Sequence, residues 1–320
     1  MANTTTTEVS AAVNNFYDRR LLMKAVPLFV HTRWAQVRDI PRNNSLVIKF
    51  RRYTLLTAAT TALSEGVTPS GSQLAVTDVT ATVAQYGDYV TVTDVLNFST
   101  LDPVLTETSE LLGIQAGDTL DQLTRTVLAA TTTIQYASTA SSTVTVSASM
   151  KLTKAEIQEA VRTLKVAKAR KITSMIDPSN GFNTAPVDSC YIGIVHPNTT
   201  YDLKNIPGFI RVEEYGQKKA MDGEVGALDE VRFVETTNSK VFSAEGAGSI
   251  DVYGTIILGA EAYGITRISG EAMKNIIKPL GSAGSADPLD QRQTSGWKAT
   301  FVAKILNQGF LVMIEHAVSS

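Results

Sequence analysis

Three histidines, one cysteine and a few adjoining carboxylates have the best claim to chemistry in this 320-residue sequence. His31, His196 and His316 stand far apart along the chain. A histidine metal site usually draws ligands from a few residues of one another, so only distant convergence would build one here. All three are expected to be ordinary packing or surface residues. Cys190 and His196 come nearest to a thiol–imidazole dyad. On one strand, rising ~3.3 Å per residue, they would lie about 20 Å apart, far beyond hydrogen-bond reach. Glu107 with Glu110, and Glu213 with Glu214, are neighbouring carboxylates. Acid–base work needs a pocket that splits their protonation states, and surface carboxylates explain both pairs better. Asp177 is followed by Pro178 and lacks the alternating ligands of a calcium loop.

The longer motifs are missing too. The chain has no Gly-rich phosphate loop ending in Lys-Ser/Thr, no Gly-x-Gly-x-x-Gly after a strand and no Gly-x-Ser-x-Gly elbow. The cations from Arg162 to Lys171 lack interleaved aromatic side chains. They could touch phosphates without specificity, but complementing a helix C-terminus is the simpler account. No catalytic residue, metal ligand or cofactor is expected.

The elements that would position a site are plainer. The Thr-rich start offers nothing to bury and should be disordered. A helix is expected over Glu8–Lys24, followed by a basic segment between Pro27 and Pro41 that holds Phe29, Val30, Trp34 and Val37. That small apolar group needs a covering surface, either the chain's own body or a neighbour's. Residues 44–94 alternate as two long strands around a Gly/Ser/Pro-rich loop at 63–73, with a turn or bulge at Tyr86-Gly87-Asp88-Tyr89. Asp102 and Pro103 open a helix whose predicted buried stripe is Ala116, Leu120, Leu123, Val127 and Ala130, with Gly113 and Gly117 as candidate bends. The uncharged stretch 131–149 ends in strand-like alternation. Thr153 and Glu156 form a capping box for a helix burying Ile157, Ala160, Val161, Leu164 and Ala167. Asp177–Gly181 reads as a loop, Cys190–Val195 as a buried strand, and a short helix follows Pro197. Strands near Val231–Val234 and Ile250–Leu258 precede a hairpin of Trp297–Leu306 and Phe310–Glu315. The class is α+β.

Composition fits a globular chain, at 43% hydrophobic and 19% charged. A net charge of −2 argues against a dedicated nucleic-acid binder. The single thiol forms no intrachain bridge, and the N-terminus lacks a signal peptide's basic start and apolar run. No apolar run reaches the ~18 residues of a membrane span, so a soluble, cytoplasmic chain with no membrane partner is expected. The small net charge hides segregation. Residues 1–53 carry nine Lys/Arg against three Asp/Glu, a net +6, and residues 54–150 carry Arg125 against nine acids, a net −8. Residues 151–172 hold seven cations and two acids, a net +5. A chain that lays one copy's basic segment on another copy's acidic one would gain register from such blocks.

A series of fragments runs in order through the sequence. It includes Leu63-Ser64-Glu65-Gly66 with Thr68-Pro69, Gln85-Tyr86-Gly87, Thr93-Asp94, Val195-His196-Pro197 with Asp202-Leu203, and Ile206-Pro207-Gly208-Phe209. It continues through Gly223-Glu224-Val225-Gly226, Val231-Arg232-Phe233, Asp251-Val252-Tyr253 and Ala262-Tyr263-Gly264. Ile276-Ile277-Lys278, Ala286-Asp287-Pro288 and Gly296-Trp297-Lys298 close it. Together, over about residues 11–316, these resemble the major capsid proteins of tailed bacteriophages, most closely the podophage type. Bacterial encapsulin shells share that fold.

The resemblance implies four parts: an N-terminal arm at 1–43, an extended β-hairpin (E-loop) at 44–94, a peripheral domain with a long spine helix at 95–150, and an axial domain at 151–270. Closing strands at 271–320 would return to the peripheral domain. It implies pentamers and hexamers forming an icosahedral shell around double-stranded DNA, in a virion assembled in the host cytoplasm. A separate scaffold protein, a portal and a decoration or cement protein are the implied partners. Contacts between subunits are expected at Arg51, Arg52, Glu65, Asp88 and Asp94. An encapsulin-like compartment is the nearest alternative; a soluble enzyme with a dispersed site and a tail or decoration protein stand further off.

Overall fold

A computed structural model describes residues 29–41, 46–53, 56–63, 65–99, 104–172, 189–215, 220–268, 273–282, 284 and 287–319. The helix expected over Glu8–Lys24, the Asp102–Pro103 cap and the Asp177–Gly181 loop lie outside these residues. The first half of the chain forms β1 (Gln36–Ile40), β2 (Val47–Tyr53), β3 (Val76–Thr82), β4 (Ala84–Thr93), α1 (Asp94–Ser99), α2 (Val104–Ala129), β5 (Ile134–Tyr136) and α3 (Lys154–Val166). Then come β6 (Tyr191–Val195), α4 (Pro197–Lys204), β7 (Ile210–Arg211), β8 (Glu224–Leu228), β9 (Val231–Glu235) and β10 (Lys240–Phe242). The last strands are β11 (Val252–Leu258), β12 (Tyr263–Ile268), β13 (Met273–Lys278), β14 (Arg292–Ile305) and β15 (Leu311–His316).

An eight-stranded sheet runs β5-β15-β11-β6-β9-β8-β7, with β10 on the side of β11. Its central strands β6, β11 and β15 are buried along their whole length, and their sequences are nearly continuous apolar runs. That is the pattern of a strand covered on both faces. Side chains alternate between the covers, as the two-residue strand period requires. Tyr191, Val195, Phe233 and Ile257 pack with α3, while Ile192, Ile194, Ile256 and Leu258 pack with Leu128, Val30 and Trp34. The capping box at α3 forms as its sequence predicts: the Thr153 amide donates to the Glu156 carboxylate at 2.6 Å. The helix buries Ile157, Ala160, Val161 and Leu164, whereas Ala167, expected in the same stripe, is its half-buried C-cap.

A five-stranded sheet runs β1-β12-β14-β13, with β4 also paired to β14. The long α2 joins the two sheets. Its 26 residues span about 39 Å at ~1.5 Å per residue. Leu112, Ala116 and Leu120 pack on Trp297, Ala299, Phe301 and Ala303 of β14, whereas Leu128 belongs to the core of the other sheet. The buried row is therefore Leu112, Ala116, Leu120, Thr124 and Leu128; it shares Ala116 and Leu120 with the predicted stripe, whereas Leu123 and Val127 are half-buried and Ala130 is exposed. A strict i+4 row overruns each turn by ~40°, which suits a helix crossing from one sheet to another. Gly113 and Gly117 lie within the uninterrupted helix, on its buried side.

Three other predicted elements differ. Tyr86–Tyr89 is continuous strand, not a turn: β4 pairs with β14 from Ala84↔Phe301 to Thr93↔Arg292. A Cβ at Gly87 would lie 2.5 Å from the Trp297 carbonyl oxygen, so the glycine permits close approach of two strands. Thr143–Thr145 is a 3-10 turn rather than strand. The predicted C-terminal hairpin does not form, because β14 pairs with β4, β12 and β13, while β15 pairs with β11 and β5. A 3-10 turn at Gln308–Phe310, where the Asn307 side chain accepts from the Gly309 amide at 3.2 Å, carries the chain from one sheet into the other.

Candidate assembly surface

Strands β2 and β3 form a two-stranded ribbon, antiparallel from Val47↔Thr82 to Tyr53↔Val76. Only its base is held. Phe50 and Ala81 are buried, Ile48 and Val79 are half-buried, and the remaining ribbon residues are exposed on both faces. Phe50 sits against Gly264 of β12, where an added Cβ would come within 2.9 Å of its ring. Beyond the base, Tyr53, Leu56, Leu63, Val67 and Leu74 are each more than half exposed. Tyr89 of β4, Val95 of α1 and Leu111 of α2 are also exposed. Isolated exposed apolar residues need no explanation, but a contiguous series marks an interaction surface.

The basic segment before the ribbon behaves differently. Val30 and Trp34 join the core of the eight-stranded sheet, so the chain's own body covers this apolar group; Val37 remains half exposed. The buried Asp121 carboxylate of α2 holds the segment, accepting from the Val30 amide (2.9 Å), the His31 amide (2.7 Å) and His31 Nδ1 (2.7 Å). The Tyr263 hydroxyl donates to the His31 carbonyl. A carboxylate at that site satisfies three buried donors that water cannot reach.

The five residues expected at subunit contacts do not gather in one place. Arg51 and Asp78 face each other across the ribbon, Nε to Oδ1 3.2 Å, and this carboxylate raises the guanidinium's pKa. Arg52 lies opposite Thr77 and is exposed, and Glu65 is exposed in the loop beyond. Asp88 accepts from Gln115 Nε2 at 2.6 Å and from the Tyr89 amide at 2.8 Å. Those two bonds, the glutamine's first, lower its pKa. Because Gln115 Oε1 also accepts from Trp297 Nε1 at 3.1 Å, Asp88 ties β4 to α2 and β14. Asp94 accepts from the Val95 amide at 2.7 Å at the start of α1.

Cations that the sequence reading set aside join this surface. Arg38, Arg51 and Arg52 line one cleft together with Lys168, Arg170 and Glu261. The basic run after α3 is thus more than a complement to a helix end. Its signal was the +5 block at 151–172, but only the tertiary fold brings that block to the ribbon.

The histidines considered for chemistry are otherwise employed, His31 on Asp121 as above. His196 caps α4, its Nδ1 accepting from the Asn198 amide at 3.1 Å, and burial lowers its pKa. His316 is buried; Nδ1 donates to the Ala317 carbonyl at 2.9 Å, so Nε2 accepts from Thr255 Oγ1 at 2.9 Å. Burial pushes its pKa down to about 4. Cys190 is buried just before β6 and His196 follows that strand. Among the described residues no group of three or more His, Cys, Asp or Glu side chains is placed to hold a metal. No helix among them is long and apolar enough to cross a membrane.

Two sheets bridged by one long helix, with a ribbon whose apolar side chains are left uncovered, define a subunit built to be completed by association. The family described as phage capsid protein matches residues 76–312, well over half of the chain. The chain belongs to that family: it is a structural capsid protein, a virion component that self-associates into capsomers. No curated protein matches it. Among solved structures, the capsid of Ralstonia phage GP4 superposes with a TM-score of 0.70 at 14% identity, covering 89% of this chain and 87% of that one. The capsid asymmetric unit of cyanophage Pam1 gives 0.66 at 15% identity, covering 91% and 93%. A virus-like particle from Pyrococcus furiosus gives 0.50 at 12% identity, covering 94% and 99%. At these identities the likeness establishes the fold.

Proposed function

We propose that the chain builds pentamers and hexamers that close an icosahedral head around double-stranded DNA. The observation that carries this reading is the β2–β3 ribbon, with both faces exposed beyond Phe50 and Ala81. In this account residues 1–43 are the arm, 44–94 the E-loop, 95–150 the peripheral domain and 151–270 the axial domain, with 271–320 closing the peripheral part. The β2–β3 ribbon and its loop lie across a neighbouring subunit, while residues 29–41 and β4 stay on the chain's own body, and axial domains gather at the five- and six-fold axes. The +6 segment ending at Arg51 and Arg52 meets the −8 segment of an adjacent copy, which includes Glu65, Asp88 and Asp94. Exposed pairs contribute only ~0–1 kcal/mol each, so their value is register, repeated around a closed ring. A separate scaffold protein, a portal and a decoration protein complete the partner set, and assembly takes place in the host cytoplasm.

Electron microscopy of the chain, expressed alone and with its phage's scaffold protein, tests the reading. Closed particles of uniform diameter support it, and a stable monomer under both conditions refutes it. Protein cargo inside in place of DNA would move the assignment to an encapsulin-like compartment, the class of shell suggested by the Pyrococcus particle.

A further inference from the structure

The cleft at the ribbon base has a volume of about 740 Å³ and draws its cations from three separate segments. Arg38 comes from β1, Arg51 and Arg52 from β2, and Lys168 and Arg170 from the chain just after α3. Glu261 is the one acid of the lining, and Asp78 offsets Arg51 across the ribbon. Five cations against two carboxylates, with the ring of Phe50 in the wall, concentrate positive potential in a confined space. Lys168 and Glu261 both hold left-handed backbone, with φ of 59° and 60°. Glycine fits such a position best, particularly just past a helix end. A lysine there sets an ammonium at the cleft at some conformational cost.

We propose that this cleft receives a carboxylate-bearing segment of a second copy of the chain, drawn from residues 54–150. The inference rests on the shell reading and specifies one of its contacts. Guanidinium groups fit planar carboxylates with paired hydrogen bonds. Residues 54–150 hold nine acids and a single cation; Asp121 is buried and Asp78 and Asp88 are bonded within the subunit, while Glu65 is exposed in the ribbon loop. Arg52 and Tyr53 belong both to the exposed ribbon and to the lining of the cleft, so a partner laid over the ribbon there also comes against the cleft. A sister subunit does both.

The test uses particles assembled from an equal mixture of isotopically light and heavy full-length chains, treated with a carbodiimide. That reagent joins an amine to a carboxylate it touches, forming an amide with loss of water. Mass spectrometry should find Lys168 linked to an Asp or Glu of 54–150 in mixed light–heavy pairs. Links confined to one isotope, links only to acids elsewhere, or, in a parallel formaldehyde treatment of the same particles, adducts of Lys168 with nucleic acid would overturn the inference. The double variant Lys168→Gln/Arg170→Gln provides a second reading. With an unchanged far-UV spectrum, it should lose assembly at about half the salt concentration the parent tolerates; unaltered salt tolerance counts against the cleft. Particles that form without the Lys168 link defeat this inference and leave the shell reading standing, whereas failure to form particles defeats both.

Discussion

His316 shows how little reactive chemistry the titratable groups of this chain retain. Both ring nitrogens are engaged, by Ala317 and Thr255, and the ring is fully enclosed. Its pKa falls from 6.5 to about 4 because burial penalises the cation. The unfolded chain therefore binds this proton more tightly than the folded one. The stabilisation is complete above the unfolded pKa near 6.5 and is lost as pH falls toward 4. The loss amounts to about 3 kcal/mol once the ring is protonated in both states. Denaturant titrations of the unassembled chain at several pH values should show this decline, and His316→Gln should flatten it. An identical slope in the variant would contradict the assignment. Gly87 makes a different demand, since its Cβ position lies 2.5 Å from a backbone oxygen of β14. Gly87→Ala should cost ~1–3 kcal/mol by forcing the two strands apart, read as a lowered denaturation midpoint.

Elements divide into those that bury their side chains within the subunit and those that do not. Leu120, in the row that α2 lays on β14, is 6% exposed, whereas Leu63 in the ribbon loop is 77% exposed. Leu120→Ala should lower stability by ~2–5 kcal/mol. Leu63→Ser should leave stability within about 0.5 kcal/mol and still reduce particle yield. Equal stability losses from both, in denaturant titrations, would mean that the loop packs on its own body. Much of this division was legible in sequence. The Thr153–Glu156 capping box, the apolar stripe of α3 and the continuous apolar runs of β6 and β11 each depend on local chemistry. Pairing was not legible, because a period of two states which face a residue occupies and not which strand lies beside it. So β14 and β15 read as a hairpin, Gly87 read as part of a turn or bulge, and the i+4 drift of α2 escaped a stripe drawn on heptad spacing. The cleft was hidden for the same reason. Arg52 and Lys168 are more than a hundred residues apart, and the sequence reads one as a subunit contact and the other as a helix-end cation, with nothing to join them. Nor does the sequence show that Asp88, expected at a subunit contact, also accepts from Gln115 within its own subunit.

At the scale of the whole molecule, segregated charge and an uncovered ribbon have one explanation if copies interlock. The segment at Val30 and Trp34 is satisfied internally through Asp121, which leaves the ribbon as the described part most in need of a partner. Reversing both Arg51 and Arg52 to Glu should leave the monomer folded and abolish or misdirect closed particles, as seen by electron microscopy and sedimentation. Normal shells in normal yield would remove electrostatic register from the account. The claim beneath all of these is that sister molecules bury the ribbon. Amide hydrogen exchange compared between unassembled and assembled protein tests that most directly. Strands β6, β11 and β15 should be protected equally in both states, while β2, β3 and the loop between them should exchange fast in the free chain and slow many-fold in the particle. A ribbon protected to the same degree in both would contradict the account.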